Sequence, residues 1–156
     1  MFSPNDRVLH PLHGAGVIEE ITEQRVGGET RSYYVLNIPS LKARLLIPVA
    51  GTAAGIRSLV SPDEARQVIA DFASVEVTES PNWNKRYREN MDRLKSGKIE
   101  QAAAVYKSLL LRDRAKGLSS GEHKMFNTAR QVLISELSAV LGMENEEIEA
   151  ELQKNL

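Results

Sequence analysis

The spacing of apolar residues changes character near position 60. Before it, short apolar and β-branched runs sit between turn-forming residues: Pro4, Pro11, Gly14, Gly16, Gly27, Gly28, Pro39 and Pro48. Such runs read as strands. They predict β-strands at Arg7 to His10, Gly16 to Ile21, Ser32 to Ile38 and Arg44 to Ile47, with a fifth over Ile56 to Val60. Gly27-Gly28 fits a hairpin turn, because glycine takes positive φ without steric strain. After position 60 the apolar period lengthens to about 3.6 residues, that of a helix. Ser61-Pro62-Asp63-Glu64 supplies an N-cap, a proline at the first helical position and a glutamate at the third, so a helix runs from there to Phe72. A second starts at Ser80-Pro81 and stacks Trp83, Tyr87, Met91 and Leu94 on one face until Gly97. A third covers 99–116 with Ala102, Ala103, Tyr106, Leu109 and Leu110 inward, and Gly117 stops it. Ser119-Ser120-Gly121-Glu122 reads as another capping box and opens a long fourth helix, whose inward row is Met125, Ala129, Val132, Leu133, Glu136, Leu137 and Val140. Gly142 ends it, and Asn145 to Leu152 forms a last short helix.

The expected fold is therefore α+β in two domains. A small, bent sheet or barrel of the Tudor/SH3 kind occupies 1–52, and an all-α bundle of four to five helices occupies 61–156. A linker spans 53–60, with the glycine-flanked stretch Gly51 to Gly55 at the junction.

Composition narrows the classes. The 156 residues contain no cysteine, which excludes disulfides and thiolate chemistry. Met1 to Asp6 lacks the basic and apolar regions of a signal peptide, and no apolar run approaches the length of a membrane span. A cytoplasmic protein is expected. The formal net charge of −1 conceals an asymmetry. Residues 82–130 hold twelve Lys/Arg against five acids, about +7, whereas 131–156 carry about −5. Clustered cations attract polyanions.

Candidate chemistry follows from that basic region. Trp83 is the only tryptophan. Spacing allows it to be the first knob of a buried stripe. It equally allows an indole too early in its helix to be covered and rimmed by Lys85, Arg86 and Arg88. An exposed indole among cations suits a wedge against a base step while the cations hold phosphates. Lys124 and Arg130 extend the basic surface on the next helix but one. Arg112, Arg114 and Lys116 have a simpler explanation, since cations in a last helical turn complement the helix dipole. Catalytic chemistry finds little support. His10-x-x-His13 brackets a proline with no third ligand nearby, no phosphate-binding loop is present, and the acids form no recognisable pair beside a nucleophile. No cofactor, metal or small-molecule substrate is expected.

The opening Phe2-Ser3-Pro4-Asn5-Asp6-Arg7-Val8-Leu9-His10-Pro11-Leu12-His13-Gly14-Ala15-Gly16 resembles the start of the CarD/CdnL family of bacterial transcription factors. A similar module occurs in transcription-repair coupling factors. The resemblance continues through Tyr33-Tyr34-Val35-Leu36, Ile47-Pro48-Val49 and Gly55-Ile56-Arg57. It is strongest in Asn82-Trp83-Asn84-Lys85-Arg86-Tyr87-Arg88-Glu89-Asn90, in Arg112-Asp113 with Lys116-Gly117-Leu118-Ser119, and from Glu122 to Gln131. Those helical motifs separate the two families. The resemblance implies a non-enzymatic regulator whose β module docks on the β subunit of RNA polymerase. Its helical domain meets promoter DNA at the upstream fork of the transcription bubble. Trp83 then matches the family's wedge, with Lys85, Arg86 and Arg88 on the backbone. Binding of this kind stabilises the open promoter complex.

Departures concern the polymerase contact. Some members carry an arginine two residues before the position matching Pro48, where this chain has Leu46. Arg44 lies on the same strand face and is the candidate substitute. Arg25 and Arg31 near the hairpin are further candidates, and Leu46 and Pro48 themselves complete the expected polymerase contact. His10 replaces the family's usual tyrosine. Two other classes compete with this reading: a stand-alone DNA-binding or nucleoid protein with a merely structural β module, and a peptide-binding adaptor.

Overall fold

Strand alternation sorts the first part of the chain into one antiparallel sheet. Its strands are β1 (Arg7–His10), β2 (Gly14–Val26), β3 (Glu29–Ile38), β4 (Ala43–Pro48) and β5 (Arg57–Ser58), in the order β4-β3-β2-β1-β5. The helices are α1 (Pro62–Asp71), α2 (Trp83–Lys95), α3 (Ile99–Lys116), α4 (Ser120–Leu141) and α5 (Asn145–Lys154). The computed structural model describes residues 1–50, 55–77, 79–154 and 156, so most of the expected Gly51 to Gly55 junction lies outside them. The α+β, two-domain organisation with a five-helix second half matches the expectation. β5 falls within the stretch read as a linker and pairs with β1 through Val8↔Ser58 and Leu9↔Arg57.

β2 is longer than its apolar run suggests. The β2–β3 pairing continues to Val26↔Glu29 beside the Gly27-Gly28 turn, where the side chains are exposed on both faces and all but Val26 are polar. A bulge at Glu19, between Ile18↔Leu36 and Glu20↔Val35, bends the sheet.

Two cores result, and β1 belongs to both. Val8 packs with Ile18, Tyr34, Leu36, Ile38 and Ile47 on one face of the sheet. Its neighbour Leu9 points the other way and joins the helical core of Phe72, Leu94, Tyr106, Leu109, Leu133 and Leu137. Period-two alternation thus lets one strand serve both cores. α4 lies directly against the start of β2. Gly14 makes that approach possible, since a Cβ there would sit 2.5 Å from the Ser135 Oγ, and its φ is +96°. Ser135 Oγ accepts the Ala15 N–H at 3.0 Å, Gln131 donates to the His13 carbonyl at 2.9 Å, and Arg7 donates to the Ala139 carbonyl at 2.7 Å. Deeper in the same seam, Glu136 is 1% exposed and accepts both Arg57 Nη groups, at 2.6 and 2.8 Å, together with the Val60 N–H at 2.9 Å. Arg57 Nε donates to the Gly97 carbonyl at 2.6 Å, which draws in the α2–α3 turn.

Within the bundle, α1 starts as its sequence dictates. The Ser61 side chain accepts the Glu64 N–H, and the Glu64 side chain returns to the Ser61 N–H, a complete capping box. Its other end is closed by a residue from α3. Lys107, 7% exposed, donates to the carbonyls of Phe72, Ala73 and Val75, each at 2.9 Å. α3 is the central helix, buried from Val105 to Leu110 without interruption. α5 covers the bundle with Ile148 and Leu152, both fully buried.

His10 also lies in this region, 8% exposed, its Nδ1 accepting the Leu12 N–H at 3.2 Å and its ring 4.5 Å from that of His13. Burial, followed by repulsion from His13, lowers its pKa to about 4. The folded chain therefore prefers the neutral imidazole while the unfolded chain takes up the proton. This contribution to stability is complete above about pH 6.5 and is lost as pH falls towards 4. At pH 5 the loss from this residue amounts to about 2 kcal/mol. Urea unfolding at pH 7.5 and pH 5 measures it. His10→Tyr removes that part of the pH dependence; an unchanged difference between the two pH values in the variant sinks the assignment.

Candidate nucleic-acid interface

α2 begins at Trp83 rather than at Pro81. Asn82 is its N-cap, the side chain accepting the Lys85 N–H at 3.0 Å, and Ser80 Oγ takes the Asn82 N–H at 3.2 Å. Asparagine is among the best capping residues, so the later start has a local cause. Trp83, as the first helical residue, has no preceding turn to cover it and is 42% exposed.

The indole has a defined seat. One face stacks on Tyr87, one turn later in α2, with ring centroids 5.3 Å apart and planes inclined by 19°. Its Nε1–H donates to Ser119 Oγ at 3.1 Å. The far edge of the indole lies over Gly121 in the first turn of α4, where an added Cβ would sit 3.4 Å from Cζ2. A glycine there keeps the helix backbone close to the ring. Tyr87 was expected in the stripe, and Ser119 as a cap, but neither sequence role indicated that they meet at the indole.

The buried row of α2 is not the expected apolar one. Arg86, Asn90 and Leu94 are the residues that face inward, at 4%, 3% and 2% exposure, while Trp83, Tyr87 and Met91 lie to one side. The cause is on α4. Glu122 is buried, and its Oε2 accepts from Arg86 Nε at 3.1 Å and lies 3.6 Å from Arg112 Nε. A buried carboxylate without cations is strongly unfavourable, so α2 turns its arginine inward. Burial pushes the Glu122 carboxyl up, but the Arg86 hydrogen bond and charge, Arg112 and the Ser119 hydroxyl outweigh it and hold the group below its usual range. Arg86 Nη1 also donates to the Ser80 carbonyl at 3.0 Å. This corrects the expectation that Arg86 offers its charge at the surface: it is an internal strut between α2, α4 and the segment before α2.

The basic region shrinks accordingly. Lys107 is buried, Arg112 is held by Glu79 at 3.2 Å as well as Glu122, and Arg114 donates to Gln153. Arg130, placed in the candidate interface by sequence, pairs with Glu149 of α5 at 2.7 Å. It borders a groove of about 360 Å³ with Ser40, Asn127 and Gln131, well along α4 from the indole. Arg130 is therefore not gathered with Trp83. Lys85, Arg88, Lys95, Lys98, Lys116 and Lys124 point outward. Lys85 and Arg88 are exposed on α2 two and five residues after Trp83, which a helix carries round to the side away from the Trp83–Tyr87 row, and Lys85 lies 3.9 Å from Glu89. Lys124 lies one turn beyond Gly121 and so on the same side of α4.

The β module presents a second surface. Register places Arg44, Leu46 and Pro48 of the edge strand β4 opposite Asn37, Val35 and Tyr33, with their side chains outward. Leu46 is 45% exposed, and Arg44 is bonded to Glu19. Arg31, paired with Gln24, continues this face towards the hairpin turn, whereas Arg25, paired with Thr30, belongs to the opposite face. The five residues expected to meet polymerase are thus split four to one between two faces.

Among the described residues no three His, Cys, Asp or Glu side chains come together as a metal site, and no helix is long and apolar enough to cross a membrane.

Comparison with known proteins gives both halves a relative. Residues 2–60 match the family model of the CarD-like/TRCF RID domain, and residues 67–153 match that of the CarD C-terminal domain. RID domains are RNA-polymerase-interacting modules. The chain is also 30% identical over 151 residues to YdeB of Bacillus subtilis (strain 168), whose name classes it provisionally as a transcription factor. That alignment covers 96% of this chain and 99% of the relative. With its two halves matching the two parts of one family in order, this chain belongs to the CarD/CdnL family of transcription factors.

Proposed function

We propose that this protein is a non-enzymatic regulator that docks on the β subunit of RNA polymerase. There it stabilises the open promoter complex by wedging Trp83 at the upstream edge of the bubble. The observation that carries the reading is the seat of the indole: a large aromatic at a helix tip, half-exposed yet held on one face and one edge. Such a ring presents a rigid apolar surface to a base step. Unstacking a step costs a few kcal/mol, and contacts to the distorted DNA offset it. Lys85, Arg88 and Lys124 are exposed on the two helices that meet at the indole and are the cations assigned to phosphates, Lys85 by exchanging its contact with Glu89. Binding the parted duplex better than the closed one shifts the population towards the open complex.

Docking is assigned to the exposed β4 face of Arg44, Leu46 and Pro48, extended by Arg31. An edge strand beside an exposed apolar side chain offers both backbone pairing and packing to a partner. Arg25 takes no part in that face. With few cations available, affinity for free duplex is weak and depends only modestly on salt, and tethering to polymerase raises the local concentration at the fork. The protein acts at the nucleoid, in the cytoplasm, and needs no cofactor.

The test is the lifetime of the host polymerase's open complex on a ribosomal-type promoter. Wild-type protein lengthens it, and Trp83→Ala loses about tenfold of that gain, the scale of one desolvated aromatic contact. No lengthening by wild type, with no retention on immobilised polymerase, favours a stand-alone DNA-binding protein instead.

A further inference from the structure

The Ser119 hydroxyl has all its bonding capacity in use. A serine oxygen offers one donor and two acceptor sites. Here it accepts the Trp83 Nε1–H at 3.1 Å and the Glu122 N–H at 3.2 Å, and donates to Glu122 Oε1 at 3.2 Å. The other oxygen of that carboxylate is fixed by Arg86. Indole, hydroxyl, carboxylate and guanidinium therefore form one polarised chain, from a half-exposed ring to a buried ion pair. Bonds in such a chain strengthen one another.

Glu122 departs from the usual capping arrangement to do this. Three residues after a serine cap, a glutamate commonly returns its side chain to the cap's own N–H. Here the carboxylate goes to the Ser119 hydroxyl and the two arginines instead. The cap of α4 and the edge of the indole are joined at a single atom.

We propose that Ser119 is a positioning residue for Trp83. Backed by Glu122, its hydroxyl sets the rotation of the indole about its stacking contact with Tyr87, and so the face that meets the parted duplex. The wedge role of Trp83 comes from the function proposed above; the seat itself does not depend on it. Ser119 does not touch DNA in this scheme.

The capping and seating roles separate by substitution. Glycine caps a helix almost as well as serine but has no oxygen to accept the indole N–H. Threonine keeps the hydroxyl. Trp83 is the only tryptophan, so fluorescence of the intact chain reports this one ring. In Ser119→Gly the steady-state anisotropy of Trp83 falls, and the protein-dependent lengthening of the open-complex lifetime drops about fivefold, the scale of one hydrogen bond. Its thermal midpoint stays within about 5 °C of wild type. Ser119→Thr retains wild-type anisotropy and lifetime. Wild-type anisotropy in Ser119→Gly overturns the proposal. So does a normal lifetime in Ser119→Gly alongside a loss in Trp83→Ala. If Trp83→Ala itself leaves the lifetime unchanged, the wedge reading falls, and anisotropy alone decides the seat: a drop in Ser119→Gly upholds it, no drop removes it.

Discussion

Removing either partner of the Arg57–Glu136 pair is expected to destabilise the protein by about 3–5 kcal/mol, the scale of a broken buried ion pair. Glu136 is almost wholly enclosed, whereas Arg57 keeps 28% of its side chain exposed. The two single changes therefore differ in kind. Glu136→Leu leaves a partly solvated guanidinium and an unpaired Val60 N–H. Arg57→Met leaves a buried carboxylate with no cation, so its loss is the larger. Combining the two changes restores part of the stability, because neither charge is then stranded. Because the pair ties α4 to β5 and to the α2–α3 turn, the single variants are also expected to unfold less cooperatively. Urea titrations followed by both far-ultraviolet dichroism and Trp83 fluorescence measure this. Coincident transitions with a loss below about 1 kcal/mol, the range of an ordinary surface pair, defeat the expectation.

Lys107→Met is expected to destabilise by about 2–4 kcal/mol. Methionine fills the channel of the lysine stem, so the loss isolates the ammonium. Three carbonyls just beyond α1, that of Phe72 buried and those of Ala73 and Val75 partly so, lose their donor together, and hydrogen bonds to a charged group are the stronger kind. Replacing the lysine by arginine does not repair this. A compact ammonium can reach three converging carbonyls, while a planar guanidinium fans its donors outward. Guanidinium unfolding of both variants tests the point, and a loss in Lys107→Arg much smaller than in Lys107→Met refutes the geometric part. The Phe72 ring, 5.7 Å from Nζ, adds a cation–π contact that methionine also forfeits.

These residues mark where the sequence ceased to be legible. Turn glycines, strand alternation and the Ser61 to Glu64 box announce their structures locally, so the sheet and the helix order were readable. Glu136 sits in the inward row that periodicity assigns it, but its partner lies 79 residues away. Lys107 and Arg86 look like surface cations because the groups that bury them come from other helices. The inward turn of α2 follows from Glu122, which its own sequence describes only as a capping residue. At the candidate interface, the exposure of Trp83, Lys85 and Arg88 was readable from residue type and position, while the place of Lys124 was not. Ser119 and Gly121 were not, because a seat is a property of two elements meeting. The split of Arg25 from Arg31 depends on register, which a one-residue shift reverses.

The membership of β1 in two cores has a consequence for how the chain is made. Its four residues leave the ribosome before every other described element, and Val8 finds its partners as soon as β2 and β3 follow. Leu9 faces helices that include α4, ending at Leu141. At synthesis rates of about 5–20 residues per second, that face of the nascent sheet stays uncovered for roughly 6–25 s. Closure is therefore a late event, and the interval is the time in which a chaperone, or a neighbouring nascent chain, meets the unfinished face.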